Sequence, residues 1–201
     1  MTAHEFEIAF VIEAVEADDP RIDQVMETLP GTTISGALGL TVATTLIDAH
    51  AAIEAGLHAA KALAAAGLAP VRTYQDLVSR QDIADRLDVS RQAVGNWVRG
   101  ERQNSWPFPA PITLTSGGAW LWTTVVGWVE ATGVADLSES KLPTLADHCA
   151  LDVMIRHGLS HFNAFSLPVR EPYYTSSRAT VTVNNGDAYV PAGSIDYTPA
   201  A

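Results

Sequence analysis

Three side chains near the middle of the chain have the types and spacing that can read the edges of DNA bases. Arginine donates two hydrogen bonds to guanine O6 and N7, and glutamine or asparagine pairs with adenine N6 and N7. The candidates are Arg91, Gln92 and Asn96. Helical spacing turns Val94 and Trp97 inward, and the outward face is predicted to hold Arg91, Gln92, Gly95, Asn96 and Arg99. We therefore predict a helix, about residues 90–99, that reads bases in the major groove.

A second set of residues suits the DNA backbone. Arginines neutralise phosphates, while hydroxyl groups and backbone amides donate hydrogen bonds to phosphate oxygens. The predicted backbone contacts are Arg80, Arg86, Ser90, Arg99, Arg102, Ser116, Gly117 and Gly118. The net charge of −11 argues against a polyanionic partner, yet six of the twelve basic residues, all arginine, fall between residues 72 and 102. This cluster predicts a local basic surface.

The residues before the base-reading helix predict a partner helix and a tight turn. Ser79 and Asp82 have the spacing of a capping box, which opens a short helix. Its predicted buried face consists of Ile83, Ala84 and Leu87. Residues 87–89 form the turn, and Ser90 caps the second helix. Because Ala84 is small, two short helices can cross closely here, so the pattern predicts a helix-turn-helix.

A proline- and aromatic-rich link, residues 105–111, follows the helix pair and leads to a predicted hairpin. Residues 112–114 and 119–122 are its strands, residues 115–118 its turn. Thr123 or Thr124 is expected to cap the next helix. Four tryptophans of this region are expected in its core: Trp97, Trp120, Trp122 and Trp128.

Residues 79–130 resemble the helix-turn-helix regulators of the MerR, excisionase and AlpA group. The resemblance implies a winged helix-turn-helix whose wing tip, near residues 116–118, approaches the DNA backbone or minor groove. Asp88 stands where the family usually has glycine, and the tip carries no Lys or Arg. We therefore expect the wing to contribute modestly.

The segment before the helix-turn-helix predicts a different kind of unit. Its elements are a strand at 5–15, a helix from Pro20 to Leu29, a hairpin of strands at 32–37 and 40–47, a helix at 50–66 and a strand at 70–74. This β-α-β-β-α-β order is that of a ferredoxin-like sandwich with two helices on one face of an antiparallel sheet. The fold alone does not identify a function.

The C-terminal segment predicts a helix and a β-ribbon. The helix begins at Pro143-Thr144, and its apolar stripe is predicted to be Leu145, Ala146, Cys149, Val153 and Met154. His148, Cys149, His157 and His161 lack the tight spacing of a metal site, so we predict no metal and assign Cys149 to the core. Residues 178–183 and 188–190 predict a hairpin.

The resulting expectation is an α+β protein with three parts. These are a ferredoxin-like domain at 1–76, a winged helix-turn-helix at 77–135 and a C-terminal helix with β-ribbon at 136–201. The single cysteine excludes an intramolecular disulfide, and no membrane span or basic leader is found, which favours a cytoplasmic protein. The usual nucleotide-binding and hydrolase motifs are missing, so neither enzymatic activity nor a cofactor is expected.

We therefore predict a sequence-specific double-stranded DNA-binding transcriptional regulator, expected to be a repressor. A homodimer, joined through the N-terminal sheet or the C-terminal ribbon, would supply two half-sites. Nothing in the sequence supports a small-molecule effector. The alternatives are a recombination or excision accessory factor, and a protein-interaction adaptor or antitoxin-like module that uses the acidic N-terminal face.

Overall fold

The first elements of the chain build one four-stranded antiparallel sheet with helices on one face. The computed structural model describes residues 2–101, 106–137 and 140–159. The N-terminal elements are β1 (His4–Ile12), α1 (Pro20–Thr28), β2 (Thr33–Ala37), β3 (Leu40–Ala49), α2 (Ala52–Ala65) and β4 (Arg72–Thr73). The strand order is β2-β3-β1-β4, and every neighbouring pair is antiparallel. The predicted succession of strands and helices is confirmed.

Alternation along β1 fixes which face of the sheet carries the core. The side chains of Phe6, Ile8, Phe10 and Ile12 are all buried, as their period of two predicts. They pack with the alanine-rich face of α2, where Ala55, Ala59 and Ala60 are fully buried. The opposite face carries exposed Glu5 and Glu7.

The helix α6 (Leu145–His157) packs against α2 and β4. The Asp152 carboxylate accepts a 2.6 Å hydrogen bond from the Thr73 backbone N–H. Leu151 is fully buried and lies so close to Gly56 that a methyl group there would meet its Cδ1 at 2.5 Å. Of the predicted apolar stripe of α6, only Met154 is buried, because this contact turns a different face inward. Leu145, Cys149 and Val153 are exposed, whereas His148, Leu151 and Met154 are buried.

A second core forms from the middle of the chain. Its elements are β5 (Leu77–Val78), α3 (Arg80–Arg86), α4 (Arg91–Val98), a 3-10 turn (Thr115–Gly117), β6 (Trp120–Leu121) and α5 (Trp122–Thr132). The four predicted core tryptophans are buried, with at most 7% of each exposed. The indole N–H of Trp120 donates to the Pro109 carbonyl at 2.8 Å, and that of Trp128 donates to the Trp106 carbonyl at 3.0 Å. The two cores share no residue.

Two details of the predicted hairpin are corrected. The strand predicted at 119–122 is shorter, and β6 pairs with β5. The hairpin itself is held by one bridge between Thr113 and Ala119. Neither Thr123 nor Thr124 caps α5, which begins at Trp122 without a side-chain cap because β6 runs directly into it.

The described residues thus form a mixed α+β structure with six α-helices. They all belong to one compact unit, Met1–Leu167. No helix among them is both long and apolar enough to cross a membrane. The hairpin predicted at 178–190 and the candidate His161 lie outside the described residues, and the three-part domain division stays a prediction.

Candidate nucleic-acid interface

The first helix of the pair, α3, begins at a capping box. The Ser79 hydroxyl accepts hydrogen bonds from the backbone N–H groups of Gln81 and Asp82 at 3.2 and 3.3 Å. In return, the Ser79 backbone N–H donates to the Asp82 carboxylate at 2.8 Å, and this bond holds the pKa of Asp82 below its ordinary value. Ile83 and Ala84 are fully buried on the inner face of α3. The predicted cap and buried face are confirmed.

A single left-handed residue makes the turn between α3 and α4. Asp88 has φ of 50°, a conformation that favours glycine but that aspartate tolerates better than most residues. The turn is closed by a 2.9 Å bond from the Val89 N–H to the Ala84 carbonyl. Ser90 then caps α4 by accepting from the Ala93 N–H at 3.1 Å. Its hydroxyl proton stays available to a further acceptor.

The N-terminal end of α4 presents two long polar side chains to solvent. Arg91 and Gln92 are exposed, and neither side chain makes a hydrogen bond or ion pair with any residue that the structure describes. Val94 and Trp97 are buried on the opposite face. The first turn of a helix also leaves backbone N–H groups without helical partners. This end of α4 is therefore free to accept an external partner.

The C-terminal half of α4 is engaged within the protein. Arg99 donates from Nη2 to Asn96 Oδ1 at 2.6 Å, so the amide oxygen of the half-buried Asn96 faces Arg99. Gly95, predicted to face outward, is buried instead. Arg99 lies across it, since a methyl group on Gly95 would stand 3.3 Å from Nη1.

Arg99 also makes a two-pronged ion pair with Glu101. Nε donates to Oε1 at 2.7 Å and Nη2 donates to Oε2 at 3.1 Å. This pairing raises the pKa of Arg99 and lowers that of Glu101. The Glu101 carboxylate therefore neutralises the positive charge with which Arg99 was predicted to contact a phosphate. Arg102, the next predicted phosphate contact, lies outside the described residues.

The tip of the hairpin is tied to the start of α3. Arg80 donates to the Gly117 carbonyl, with Nη2 at 2.6 Å and Nε at 3.3 Å. The tip contains left-handed residues, Ser116 at φ of 54° and Gly118 at φ of 110°. A methyl group on Gly118 would meet the Trp120 ring at 2.7 Å, so that position requires glycine. The structure therefore brings together four residues predicted to contact the DNA backbone: Arg80, Ser116, Gly117 and Gly118.

Arg86 is held away from that group by two partners. Its guanidinium forms two hydrogen bonds with the Asp76 carboxylate, at 2.5 and 3.0 Å. The same group lies over the Trp122 ring, 4.7 Å from the ring centre. Both contacts join α3 to the segments before β5 and at the start of α5. Sequence reasoning missed this pairing, because no regular spacing relates Asp76 to Arg86.

These side chains can donate hydrogen bonds and cationic charge, but they do not form a metal centre. Among residues 2–101, 106–137 and 140–159, no three His, Cys, Asp or Glu side chains gather as metal ligands. Comparison of the chain with protein-family models, with curated proteins and with solved structures finds no match in any of the three.

Proposed function

We propose that this chain is a sequence-specific double-stranded DNA-binding transcriptional regulator that acts as a repressor, with α4 in the major groove. One observation carries the proposal. Arg91 and Gln92 stand exposed, with no partner among the described residues, at the N-terminal end of a helix that follows a partner helix after one tight turn. A recognition helix contacts base edges with its N-terminal side chains. Arg91 suits guanine, and Gln92 suits adenine.

Asn96 takes a secondary part in this proposal. Its Oδ1 already accepts from Arg99, but a carbonyl oxygen has a second lone pair and can also accept from adenine N6. Arg99 would hold the amide in one orientation for that purpose. A base contact from Asn96 therefore depends on Arg99, whereas the contacts from Arg91 and Gln92 do not.

Backbone contacts come from two places in the proposal. The Ser90 hydroxyl and the first N–H groups of α4 offer donors to a phosphate at the helix N-terminus. Arg80 holds the hairpin tip by its Gly117 carbonyl, and the exposed Ser116 is the neutral donor that this tip offers. The N–H groups of Gly117 and Gly118, which were predicted to contact the backbone, already donate to the Leu114 and Thr115 carbonyls. Arg86 is better suited to a structural role, because Asp76 and Trp122 already hold its guanidinium.

The fold that we propose to underlie this function has two familiar parts. The β2-β3-β1-β4 order, with α1 and α2 packed on one face, supports a ferredoxin-like sandwich. The α3–turn–α4 pair, followed by a hairpin tied back to α3, supports a winged helix-turn-helix. The resemblance to the MerR, excisionase and AlpA group remains part of the proposal.

We further propose a homodimer that binds two half-sites about 34 Å apart. The face of the sheet opposite the N-terminal core is a poor candidate for a face-to-face contact between two copies of the chain. Glu5, Glu7 and Asp48 are exposed on that face, and two copies would bring like charges together. This charge favours dimerisation through another part of the chain, such as the C-terminal segment predicted to form a ribbon.

The test is selection of bound fragments from random duplex DNA by the full chain, repeated with Arg91→Ala and Gln92→Ala. The wild type should enrich one motif, and each variant should lose preference at one position of each half-site, at about 1–3 kcal/mol per bidentate contact. Arg156→Ala is the matched control. It removes the same charge from an exposed site at the end of α6, so its motif should be unchanged. A folded chain that enriches no motif at low salt would refute the proposal.

The acidic sheet face supports a second candidate, a protein-interaction adaptor or antitoxin-like module. Its supporting observation is the set of exposed carboxylates at Glu5, Glu7 and Asp48. The same selection separates the candidates, because an adaptor enriches no DNA. A recombination or excision accessory factor would enrich a motif as a regulator does, and the genomic position of that motif would distinguish the two.

A further inference from the structure

The two edges of the four-stranded sheet differ in how they are protected. At one edge, β4 is only two residues long, and α6 packs against it. The Thr73 backbone N–H of β4 donates to the Asp152 carboxylate of α6, so this edge is covered. At the other edge, β2 is five residues long and pairs with β3 alone among the described elements. An edge strand without protection can add a strand from another chain.

The strand β2 has none of the features that usually keep an edge strand from pairing. Natural edges are blocked by charged side chains, by proline or by a bulge. The residues of β2 are uncharged and include no proline: Thr33, Ile34, Ser35, Gly36 and Ala37. Their register with β3 is continuous, so no bulge interrupts the strand. All except the half-buried Ile34 are exposed, which leaves this edge accessible to a further strand.

The turn that ends β2 adds an exposed apolar side chain. Leu38 and Gly39 have φ of 53° and 79°, and positive values at both positions are what a two-residue turn between these strands requires. The left-handed region is unfavourable for leucine, and the Leu38 side chain is fully exposed. Strained residues of this kind cluster at functional positions. Strain and exposure at the end of an open edge strand both favour a contact there.

The hairpin register decides which backbone groups of β2 face outward. Ala37 and Leu40 flank the two-residue loop and therefore form a hydrogen-bonded pair. Such pairs alternate with non-hydrogen-bonded pairs, so Ile34 and Gly36 direct their N–H and C=O groups away from β3. A second β2 strand, antiparallel to the first, can place its Gly36 opposite Ile34 and its Ile34 opposite Gly36. The edge is thus complementary to itself.

We propose that β2 pairs with β2 of a second copy of this chain, with Ser35 of both copies at the two-fold axis. The two sheets then form one continuous sheet across the axis. In this register Leu38 lies opposite the partner's Thr32, where the partner's backbone shields it. The inference names the interface of the homodimer proposed above and rests on that part of the proposed function. It involves none of the residues proposed to contact DNA.

The charges of the chain favour this edge over the faces of the sheet. The net charge is −11, whereas β2 is uncharged. In the joined sheet, the β3 strands that carry Asp48 lie three strand spacings apart, about 14 Å. The β1 strands that carry Glu5 and Glu7 lie about 24 Å apart. Both separations exceed the Debye length of about 8 Å at physiological salt, so repulsion between these exposed carboxylates is largely screened.

The first test measures the mass of the full chain by sedimentation velocity, with and without a charge at the two-fold axis. The wild type should be a dimer. Ser35→Lys and Ser35→Glu should each weaken dimerisation at least about tenfold, because like charges then lie directly opposite each other. An equimolar mixture of these two variants should dimerise again. Val71→Lys is the control, since it adds the same charge at an exposed site next to β4, and it should stay dimeric.

A cross-link tests the register itself. Directly opposite residues of a non-hydrogen-bonded pair have Cα atoms about 4.5 Å apart, within the range of about 4.4–6.8 Å that a disulfide spans. Ser35→Cys, in a chain whose exposed Cys149 is replaced by serine, should therefore form a covalent dimer on oxidation. Val71→Cys in the same background should not.

Three results would overturn the proposal: a monomeric wild type, Ser35 charge variants that both stay dimeric, or a mixture of these variants that does not dimerise. A dimer that survives both charges would have its interface elsewhere, such as in the C-terminal segment. No measurement here uses DNA. Failure of this interface is therefore distinguishable from failure of the DNA selection.

Discussion

Replacement of Gly56 by alanine tests how α6 is attached to the rest of the protein. A methyl group at this position of α2 would stand 2.5 and 2.8 Å from the two terminal carbons of Leu151 and 3.2 Å from its Cγ. Leu151 is fully buried and cannot swing into solvent. Overpacking of this kind costs about 1–3 kcal/mol. Alanine is also the better helix former by about 0.5–1 kcal/mol, so the net loss of unfolding free energy should be about 1 kcal/mol.

Gly127 provides the matched control. It is exposed in the interior of α5, and a methyl group there would meet no atom within 4 Å. Gly127→Ala should therefore raise the unfolding free energy by about 0.5–1 kcal/mol. Urea denaturation followed by circular dichroism gives both values, and their difference isolates the packing cost. If Gly56→Ala stabilises the protein as much as Gly127→Ala does, the α2–α6 contact is wrongly described.

A double variant strengthens the same test. Leu151→Ala alone removes a fully buried side chain and should cost about 2–5 kcal/mol. The double variant Gly56→Ala with Leu151→Ala should lose less unfolding free energy than the sum of the two single variants, because the new methyl group occupies part of the space that the leucine leaves. The expected coupling is about 0.5–3 kcal/mol. Simple additivity would contradict direct packing between the two residues.

Three further predictions concern the turn, the ion pair and the buried histidine. Asp88 has φ of 50°, so Asp88→Gly should leave the unfolding free energy measured in urea unchanged or raise it, whereas Asp88→Ala should lower it by about 1 kcal/mol. Equal effects of the two variants would contradict a left-handed turn. Glu101→Gln should release Arg99, tighten DNA binding and steepen the slope of log binding constant against log salt concentration by about one unit, as measured by fluorescence anisotropy. Glu27→Gln on α1 is the charge-matched control and should change neither the affinity nor the slope. The pKa of His148 lies below its ordinary value of 6.5 in the folded state, so below that pH the unfolded chain binds the proton first and stability falls. Urea midpoints measured across this pH range should fall less in His148→Gln than in the wild type.

Features set by neighbouring residues could be predicted from the sequence. The alternation of Phe6, Ile8 and Phe10 predicted the buried face of β1, because successive side chains of a strand point to opposite faces. The caps at Ser79 and Ser90 could also be predicted from the sequence, since a cap depends on a residue and the three that follow it. At the candidate site, the same local rules placed Arg91 and Gln92 on the exposed end of α4.

Features set by distant contacts could not be predicted. Apolar residues lie on more than one side of α6, so its pattern did not distinguish the face of Cys149 from the face of Leu151. The choice depends on Gly56, which leaves space for a leucine from another part of the chain. The bond from Arg80 to Gly117 likewise joins residues that no local pattern relates. Only the pairing of Arg99 with Glu101, two positions apart, had a signal that sequence reasoning could have used.

The described arginines of the basic cluster differ in whether the protein already holds them, and this difference sharpens the assignment of roles. Arg80 holds the hairpin tip, Arg86 is paired with Asp76, and Arg99 is neutralised by Glu101. An arginine whose donors are occupied must give up those bonds before it can bind a new anion, so its net gain is small. Arg91 bears no such cost, since its side chain is exposed and has no partner among the described residues. Base recognition, as proposed, should therefore depend more on Arg91 and its neighbour Gln92 than on Arg80, Arg86 and Arg99, whose donors the protein already holds.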